Sequence, residues 1–256
     1  MLLYFDLTGK VAIITGGATG IGKGIAEGLA EAGASIVIAA RRFGKCEEAC
    51  KDIKGKTGVK TLPYRCDVTN KDDIDNLVNV VIDEFGHIDI LVNNSGIGGS
   101  EKPILEMTGK DWDTVLNTNL KSVFTLSRSV VNKMIERNKG GKIINVASIG
   151  AIIGWSNMSA YCASKGGCLQ LTKVMALEWA RYNIQVNAIL PGYFDTPMNK
   201  EFFATETGKN VIMRNIPMKR LGQIEEIKGV AILLASQASS FMTGAAVVVD
   251  GGQTCW

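Results

Sequence analysis

A tyrosine and a lysine four residues apart carry the clearest chemical signal in this sequence. Tyr161 and Lys165 lie at i and i+4 in a segment with helical periodicity, so both side chains should project from one helix face. A nearby ammonium stabilises a phenolate, which makes the phenol an acid/base group able to exchange a proton with a hydroxyl. Ser148 closes a predicted strand 13 residues earlier, where its hydroxyl could hydrogen-bond to a substrate oxygen. The alternative is a solvated helix face, because lysines are common.

A glycine cluster ends the first predicted strand and could bind a phosphate. The segment Thr15-Gly-Gly-Ala-Thr-Gly-Ile-Gly22 leads directly into a helical stretch. Glycines there let backbone N–H groups and the positive end of the helix approach a pyrophosphate without a Cβ atom in the way. The spacing differs from the common G-x-G-x-x-G pattern, so a strand-to-helix turn that binds nothing is the alternative. The residues expected to contact a dinucleotide here are Gly16, Thr19, Gly20, Ile21 and Gly22.

Two further predicted strands end in residues that could face the same ligand. Asn94 and Gly96 follow the fourth strand, and ligands of an open α/β sheet bind beyond the carboxyl ends of its strands. Asp67 and Val68 follow the third strand, where the Asp67 carboxylate could accept a hydrogen bond from an adenine amino group. An Asx turn is an equally good interpretation of Asp67.

The end of the second strand predicts which dinucleotide is bound. A carboxylate at this place would bind the ribose 2′-hydroxyl of NAD and repel a 2′-phosphate, but the sequence has Ala40, followed by Arg41 and Arg42. Because a guanidinium pairs well with phosphate, we predict NADP(H), with Arg41 the stronger contact and NAD(H) still possible. The alternative is a pair of solvated arginines, since Thr19 supplies no second basic group.

The spacing of apolar runs predicts the elements that hold these residues. Short β-branched runs alternate with amphipathic segments, which is the pattern of a parallel sheet with helical crossovers. We predict an α/β fold, a single doubly wound Rossmann-type sheet of about seven strands with helices on both faces, forming one dinucleotide-binding and catalytic domain over residues 1–256. The predicted strands span residues 11–14, 35–38, 61–65, 88–92, 142–146, 184–190 and 245–249, and the predicted helices span 21–32, 72–85, 111–137, 160–182 and 224–235.

Two segments interrupt this alternation. Residues 61–65 contain Pro63, which favours an edge strand because proline cannot donate to a central ladder. Residues 193–216 are helical in parts but contain or adjoin Pro197, Gly208 and Pro217, so we predict a lid or substrate loop there.

Composition excludes several classes of protein. The chain has 256 residues, of which 46% are hydrophobic and 21% charged, and a net charge of +3 without runs of like charge, so neither a nucleic-acid nor a membrane partner is expected. Its single histidine, His87, argues against a histidine-dependent hydrolase or a metal site. The six cysteines form no Cys-x-x-Cys pair and indicate a reduced, cytoplasmic protein.

Together these residues resemble the short-chain dehydrogenase/reductase family. The similarity extends from about Leu7 to Gly252, and it departs from the family at Ser95, where alanine is usual. Within the family, the sequence is similar to gluconate 5-dehydrogenase-like and 3-oxoacyl carrier-protein reductase members. The ordered set that carries the resemblance is the glycine segment 15–22, Asn93-Asn-x-Gly96, Asn119, Ser148, Tyr161-x-x-x-Lys165, Pro191-Gly192 and Thr196.

The resemblance implies a role for each of these residues. Tyr161 would transfer the hydroxyl proton, Lys165 would hold the nicotinamide ribose, and Ser148 would orient the carbonyl. Asn119 would hold a water molecule in a proton relay. The resemblance also implies a homotetramer, with the tail that ends at Trp256 at a subunit interface. The residues implied to fix the nicotinamide carboxamide are Pro191, Gly192 and Thr196.

We therefore expect an NADP(H)-dependent carbonyl reductase, an oxidoreductase that interconverts a small-molecule ketone or aldehyde and an alcohol. The substrate stays open between a sugar acid such as 5-ketogluconate, a 3-oxoacyl thioester and a cyclic or steroid ketone. The alternative from another class is a non-catalytic dinucleotide sensor or scaffold, which has no need of the proton-transfer residues. A sugar acid would need cations, for which Lys200, Lys209 and Arg214 are available, whereas an apolar substrate would prefer Trp155, Met158, Phe202 and Phe203.

Overall fold

The sheet of this protein is parallel throughout. A computed structural model describes residues 3–197 and 199–255. Within these ranges, seven strands form one sheet in the order β3-β2-β1-β4-β5-β6-β7, so the predicted doubly wound architecture is confirmed and Thr61–Arg65 lies at an edge. The strands are β1 (Val11–Thr15), β2 (Ser35–Ala40), β3 (Thr61–Arg65), β4 (Ile90–Asn93), β5 (Gly141–Val146), β6 (Ile184–Pro191) and β7 (Ala246–Val249).

Helices cover both faces of the sheet. Alternate residues of β1 show the two layers: Ala12 and Ile14 pack with α1, α2 and α9 on one side, whereas Val11 and Ile13 pack with α3, α5 and α6 on the other. The helices are α1 (Gly20–Glu31), α2 (Phe43–Thr57), α3 (Lys71–Phe85), α4 (Gly109–Leu116), α5 (Ser122–Arg137), α6 (Ser159–Trp179), α7 (Lys200–Ala204), α8 (Glu206–Asn215) and α9 (Lys228–Ala235). No helix in the described ranges is long and apolar enough to cross a membrane.

The sequence pattern missed α2 entirely. Its buried stripe consists of Cys46, Ala49, Cys50 and Ile53, which have the spacing of a helix face but contain a single large aliphatic side chain. These cysteines pack against the sheet, and burial raises the pKa of the Cys50 thiol to about 11. Small buried side chains therefore provide the crossover from β2 to β3, which the hydrophobic pattern did not reveal.

The structure adds detail to two other predicted segments. The predicted helix 111–137 is divided, because a single π-helical turn, Asn117–Lys121, separates α4 from α5. The predicted lid, 193–216, contains the two short helices α7 and α8. Trp256, which the resemblance places at a subunit interface, lies outside the described residues.

A buried lysine lies at the amino end of β5, opposite the edge where the strands end. Lys142 is 7% exposed, and its Nζ donates a hydrogen bond to Ser239 Oγ at 3.2 Å. Burial lowers the pKa of Lys142 to about 8, because a charged ammonium is poorly solvated there. The folded chain therefore carries an unfavourable buried charge at neutral pH.

Replacing Lys142 by methionine should stabilise the protein near pH 7. Between about pH 8 and 10.5 the unfolded chain binds the lysine proton more tightly than the folded chain, so wild-type stability rises with pH in this window. Methionine removes the buried charge, and we expect a gain on the order of 2 kcal/mol near pH 7 that declines through the window. Urea unfolding from pH 7 through this range measures the gain in unfolding free energy, with Lys51→Met on the exposed face of α2 as the control. A Lys142→Met protein less stable than wild type near pH 7 would contradict this account.

Candidate active site

A hydroxyl clamp joins the carboxyl ends of β1 and β4. Thr15 Oγ1 donates to Val92 O at 3.3 Å and accepts from the backbone N–H groups of Asn94 at 3.0 Å and Ser95 at 3.1 Å. The Asn94 side chain adds two more bonds, from Nδ2 to Thr15 O at 3.0 Å and to Gly16 O at 3.2 Å. The strand order reverses between β1 and β4, so the clamp lies at the place where open α/β sheets form their ligand crevice.

The glycine loop after β1 has the features of a pyrophosphate cradle. Gly16 and Gly20 have φ values of +64° and +55°, a conformation that favours glycine. A Cβ atom at Gly20 would meet only Thr196 among the described residues, at 3.5 Å, so the mouth of the loop is open. The Thr19 side chain makes no capping hydrogen bond to α1, which leaves the first N–H groups of that helix for a ligand. The loop therefore fits the dinucleotide that the sequence predicted.

Gly22 is required by the packing of the loop. A Cβ atom there would overlap Gly16 O and the Asn94 side chain, so only glycine lets the loop close on Asn94. Ile21 precedes it in the first turn of α1 and packs at the margin of the core. The five predicted loop residues therefore lie together, but some of them are open to a ligand and others are packed against the protein.

Ser148 and Tyr161 meet in space around Gly150. A Cβ atom at Gly150 would stand 3.5 Å from Ser148 Oγ and 3.3 Å from Tyr161 Cε1. Ser148 Oγ accepts a hydrogen bond from Gly150 N–H at 3.1 Å, which orients the hydroxyl and leaves its proton free to be donated. Ser148 is buried at the end of β5, and Tyr161 lies near the start of α6, so two neighbouring elements bring the predicted pair together.

Lys165 and Asn119 converge beside Gly96. A Cβ atom at Gly96 would stand 3.3 Å from Asn119 Oδ1 and 3.5 Å from Lys165 Nζ. Lys165 Nζ donates to Val146 O at 2.8 Å and lies 5.8 Å from the centre of the Tyr161 ring. The ammonium has three protons, so two remain for other partners.

A closed hydrogen-bond network fixes Asn119 in the π-helical turn. Its Oδ1 accepts from Ile97 N–H at 2.9 Å, and its Nδ2 donates to Ile97 O at 2.9 Å and to Ser164 Oγ at 3.1 Å. Ser164, which the sequence analysis did not single out, donates in turn to Tyr161 O at 2.7 Å. The feature of the sequence that could have indicated Ser164 is its position between Tyr161 and Lys165 on the same helix.

The loop after β6 closes the site from the other side. Gly192 N–H donates to Val249 O at 2.9 Å, and a Cβ atom at Gly192 would stand 2.7 Å from Asp250 Cβ, so glycine lets the ends of β6 and β7 approach. Pro191 ends β6, and Thr196 is buried beside the glycine loop of β1. The predicted carboxamide residues therefore lie next to the predicted cradle.

The residues proposed for the adenosine end lie at the carboxyl ends of β2 and β3. Arg41 and Arg42 are exposed. Asp67 Oδ1 accepts from Thr69 N–H at 2.9 Å and Thr69 Oγ1 at 2.7 Å, so the Asx-turn interpretation is correct for that oxygen. Burial raises the pKa of Asp67. The hydrogen bonds from Thr69 and the positive charge of Arg41 have the larger combined effect, so the pKa is lowered overall. Val68 is buried next to this turn.

An aromatic wall, formed by Tyr161, Trp155, Tyr193, Phe203 and Phe202, borders the site. Trp155 lies between two tyrosines, with ring centres 6.0 Å from Tyr161 and 5.7 Å from Tyr193 and interplanar angles of 13° and 12°. Phe203 of α7 contacts Tyr193 edge-on at 5.1 Å and Phe202 at 5.0 Å. The sequence analysis missed Tyr193, although its place directly after Pro191-Gly192 was a signal.

Gln253 is a third residue near the site that the sequence did not predict. Burial raises the pKa of the Tyr193 phenol, and a hydrogen bond with the Gln253 side chain opposes that rise. Gln253 Oε1 is buried without a hydrogen-bond partner in the described part of the chain. No group of three or more His, Cys, Asp and Glu residues within 3–197 and 199–255 is placed to hold a metal ion.

Known proteins match nearly the whole chain. Residues 16–254 match the family described as enoyl-(acyl carrier protein) reductase. The chain is 42% identical over 254 residues to the 2-dehydro-3-deoxy-D-gluconate 5-dehydrogenase of Escherichia coli K12, covering 98% of both chains. A short-chain type dehydrogenase/reductase from Mycobacterium marinum matches with a TM-score of 0.94 at 39% identity, covering 100% of this chain and 99% of that one. A gluconate 5-dehydrogenase from Burkholderia cenocepacia, in complex with NADP and tartrate, matches with a TM-score of 0.94 at 37% identity and the same coverage.

Gly22→Ala should damage both the fold and dinucleotide binding. The added methyl would collide with a backbone oxygen that cannot move without opening the loop, so we expect a loss of about 2 kcal/mol in unfolding free energy. Affinity for NADPH, measured by fluorescence titration, should fall by about tenfold or more.

Gly55→Ala is the matched control for this substitution. Position 55 is exposed on α2, and a Cβ atom there meets nothing within 4 Å, so this variant should gain about 0.5–1 kcal/mol and bind NADPH as wild type does. Equal affinities of the Gly22→Ala protein and the control would refute the cradle.

Proposed function

Because this chain belongs to the short-chain dehydrogenase/reductase family and is thereby an oxidoreductase acting on CH–OH groups, we propose that it is an NADP(H)-dependent enzyme that interconverts a ketone or aldehyde and an alcohol, with Tyr161 as the acid/base. The observation that carries the proposal is the convergence of four side chains from three elements. Ser148 and Tyr161 flank Gly150, while Asn119 and Lys165 flank Gly96. A sensor would need the glycine loop but not this set.

Tyr161 and Ser148 would handle the substrate oxygen. The Ser148 hydroxyl, oriented by Gly150 N–H, has one proton to donate to a carbonyl. Its donation would draw charge onto the carbonyl oxygen and hold that oxygen near the Tyr161 phenol. Tyr161 would then donate its proton to the developing alkoxide, or accept it from an alcohol in the reverse direction.

Lys165 would supply charge and position. Its bond to Val146 O fixes the ammonium, and the two remaining protons are available to the nicotinamide ribose and the site solvent. The same ammonium lies 5.8 Å from the centre of the Tyr161 ring, so its positive charge would act on the reacting phenol. One residue would therefore both orient the dinucleotide and assist proton transfer.

Asn119 would connect Tyr161 to solvent. Both protons of its amide are used, whereas Oδ1 accepts one hydrogen bond and retains one lone pair beside Lys165 Nζ. That lone pair could accept from a water molecule in a relay that restores the Tyr161 proton. The network makes Asn119 rigid, which suits a relay that depends on fixed distances.

The dinucleotide would supply the hydride, and the chain would supply its binding site. The glycine loop, the first turn of α1, Asn94, Gly96 and the predicted carboxamide residues Pro191, Gly192 and Thr196 would line the crevice at the carboxyl ends of β1, β4 and β6. Arg41 would pair with a 2′-phosphate, and Arg42, the residue before α2, is the weaker candidate. The neighbour that binds NADP supports this preference.

Two unpartnered surfaces support a homotetramer. Apolar side chains of α5 and α6 are exposed, among them Phe124 and Leu177, and Val248 is exposed on the edge strand β7. Two separate self-complementary patches are what a tetramer built from pairs of dimers requires. A cytoplasmic location agrees with the six cysteines, all of which are free thiols.

Tyr161→Phe tests the chemistry directly. Removing the hydroxyl leaves the ring and its packing, so we expect the rate of NADPH-dependent ketone reduction to fall by about 10²–10⁴-fold. NADPH affinity should stay within about threefold of wild type, since the hydroxyl is not the main contact for the dinucleotide. Initial rates measure ketone reduction, and fluorescence titration measures the affinity for NADPH. Unchanged rates in the variant would exclude the mechanism, and absence of turnover in the wild type over a broad ketone panel would favour the sensor.

Arg41→Ala tests the dinucleotide preference. Loss of a charge-assisted pair with the 2′-phosphate should lower kcat/KM for NADPH by about tenfold or more and leave NADH almost unaffected. Arg42→Ala should change the same ratio by less. An NADPH-to-NADH ratio that stays constant across wild type and both variants would overturn the assignment.

A further inference from the structure

The aromatic wall begins at the catalytic tyrosine itself. The ring planes of Tyr161 and Tyr193 each lie within 13° of the Trp155 plane, and the ring spacings of 6.0 and 5.7 Å correspond to offset rings rather than face-to-face stacks. All three residues are half-buried, so part of each ring remains accessible beside the site. A row of nearly parallel, offset rings presents an apolar surface to a substrate whose carbonyl group binds at Ser148.

Trp155 is the central member of this surface. A Cβ atom at Gly150 would lie 3.2 Å from Trp155 Cζ3, so the indole reaches the same point as Ser148 Oγ and the Tyr161 ring. A substrate that places its oxygen between Ser148 and Tyr161 can therefore place its adjoining carbons against the indole.

The wall is apolar around Tyr193. Burial is the largest influence on the Tyr193 phenol and raises its pKa, and its hydrogen-bonding neighbour Gln253 is neutral. Lys102 is paired with Asp111 at 3.0 Å.

Lys200, one of the lid cations available to a sugar acid, is exposed at the start of α7, three residues before Phe203. Tyr193 and Trp155 lie between Phe203 and Tyr161 in the order of ring contacts. Along the wall, a substrate bound at Ser148 therefore meets aromatic rings before it meets this lysine.

We propose that the slot between Ser148 and the aromatic wall takes a neutral ketone whose carbonyl belongs to, or adjoins, a flat ring, and that Trp155 determines this specificity. The inference rests on the proposed function and narrows its substrate class. Ring-on-ring contact with Trp155 would replace the charge pairing that a sugar acid needs. Tyr193 and Phe203 would hold the indole in place.

The test compares three ketones in five proteins, all with NADPH. The ketones are 2-tetralone, which is neutral and cyclic, 5-ketogluconate, which is an anion, and the N-acetylcysteamine thioester of acetoacetate, which is neutral and linear. The proteins are wild type, Trp155→Ala, Trp155→Phe as the conservative variant, Lys200→Ala, and Trp112→Ala as a tryptophan control on α4. Wild type should prefer 2-tetralone by about tenfold in kcat/KM, and Trp155→Ala should remove that preference through KM. Trp155→Phe should restore most of it, and the control should match wild type.

A binding measurement separates this inference from the proposed function. In the presence of NADPH, 2-tetralone should raise the melting temperature of wild type and Trp155→Phe but not of Trp155→Ala. The same pattern without turnover of any ketone would support the slot and refute the reductase. Preferred turnover of 5-ketogluconate that falls in Lys200→Ala and survives in Trp155→Ala would overturn the slot and leave the reductase intact. Preferred turnover of the linear thioester, unaffected by Trp155→Ala, would also overturn the slot.

Discussion

The hydroxyl of Thr15 is the contact on which the rest of the site depends. It joins the last residue of β1 to three backbone groups around the end of β4, and it is buried where water cannot compete for those bonds. The strand order reverses at this place, so the backbone hydrogen bonds of the sheet do not join the loop that follows β1 to the loop that follows β4. A side chain must supply the connection. Asn94 completes it by filling the space that Gly22 leaves open.

A second set of polar side chains stiffens the adjoining core. Asn93 donates to Ser127 Oγ at 2.9 Å and to Asn145 Oδ1 at 2.8 Å, and Asn145 donates to Thr172 Oγ1 at 2.9 Å. These side chains come from β4, α5, β5 and α6, the elements that carry or adjoin the proposed catalytic groups. Buried amides are costly when unsatisfied, but here they are paired with one another, so the network favours a single arrangement of the four elements. Ser148 and Lys165 extend from that arrangement.

What the sequence could predict was set by local signals. Alternating apolar runs revealed the sheet, and the i, i+4 spacing of Tyr161 and Lys165 placed both on one helix face. The helix α2 escaped because its buried stripe is built mainly from cysteine and alanine, which a hydrophobic pattern weights lightly. The sequence indicated Trp155, Phe202 and Phe203 as candidates for an apolar pocket but not Tyr193, which joins Trp155 to Phe203. Trp155, Tyr193 and Phe203 come from three separate segments, and no spacing along the chain relates them. Gln253 joins them from a fourth.

The π-helical turn at Asn117–Lys121 separates what packing requires from what the site requires. A wide turn accommodates one residue more than an α-helix of the same length. Because the turn absorbs the extra residue, deleting one residue here would leave a regular helix in which Val130 and Met134 of α5 keep their packing on the sheet. The residue that would lose its position is Asn119, whose hydrogen bonds to Ile97 and Ser164 start from this turn. The irregular backbone is therefore a property of the site, and the core could dispense with it.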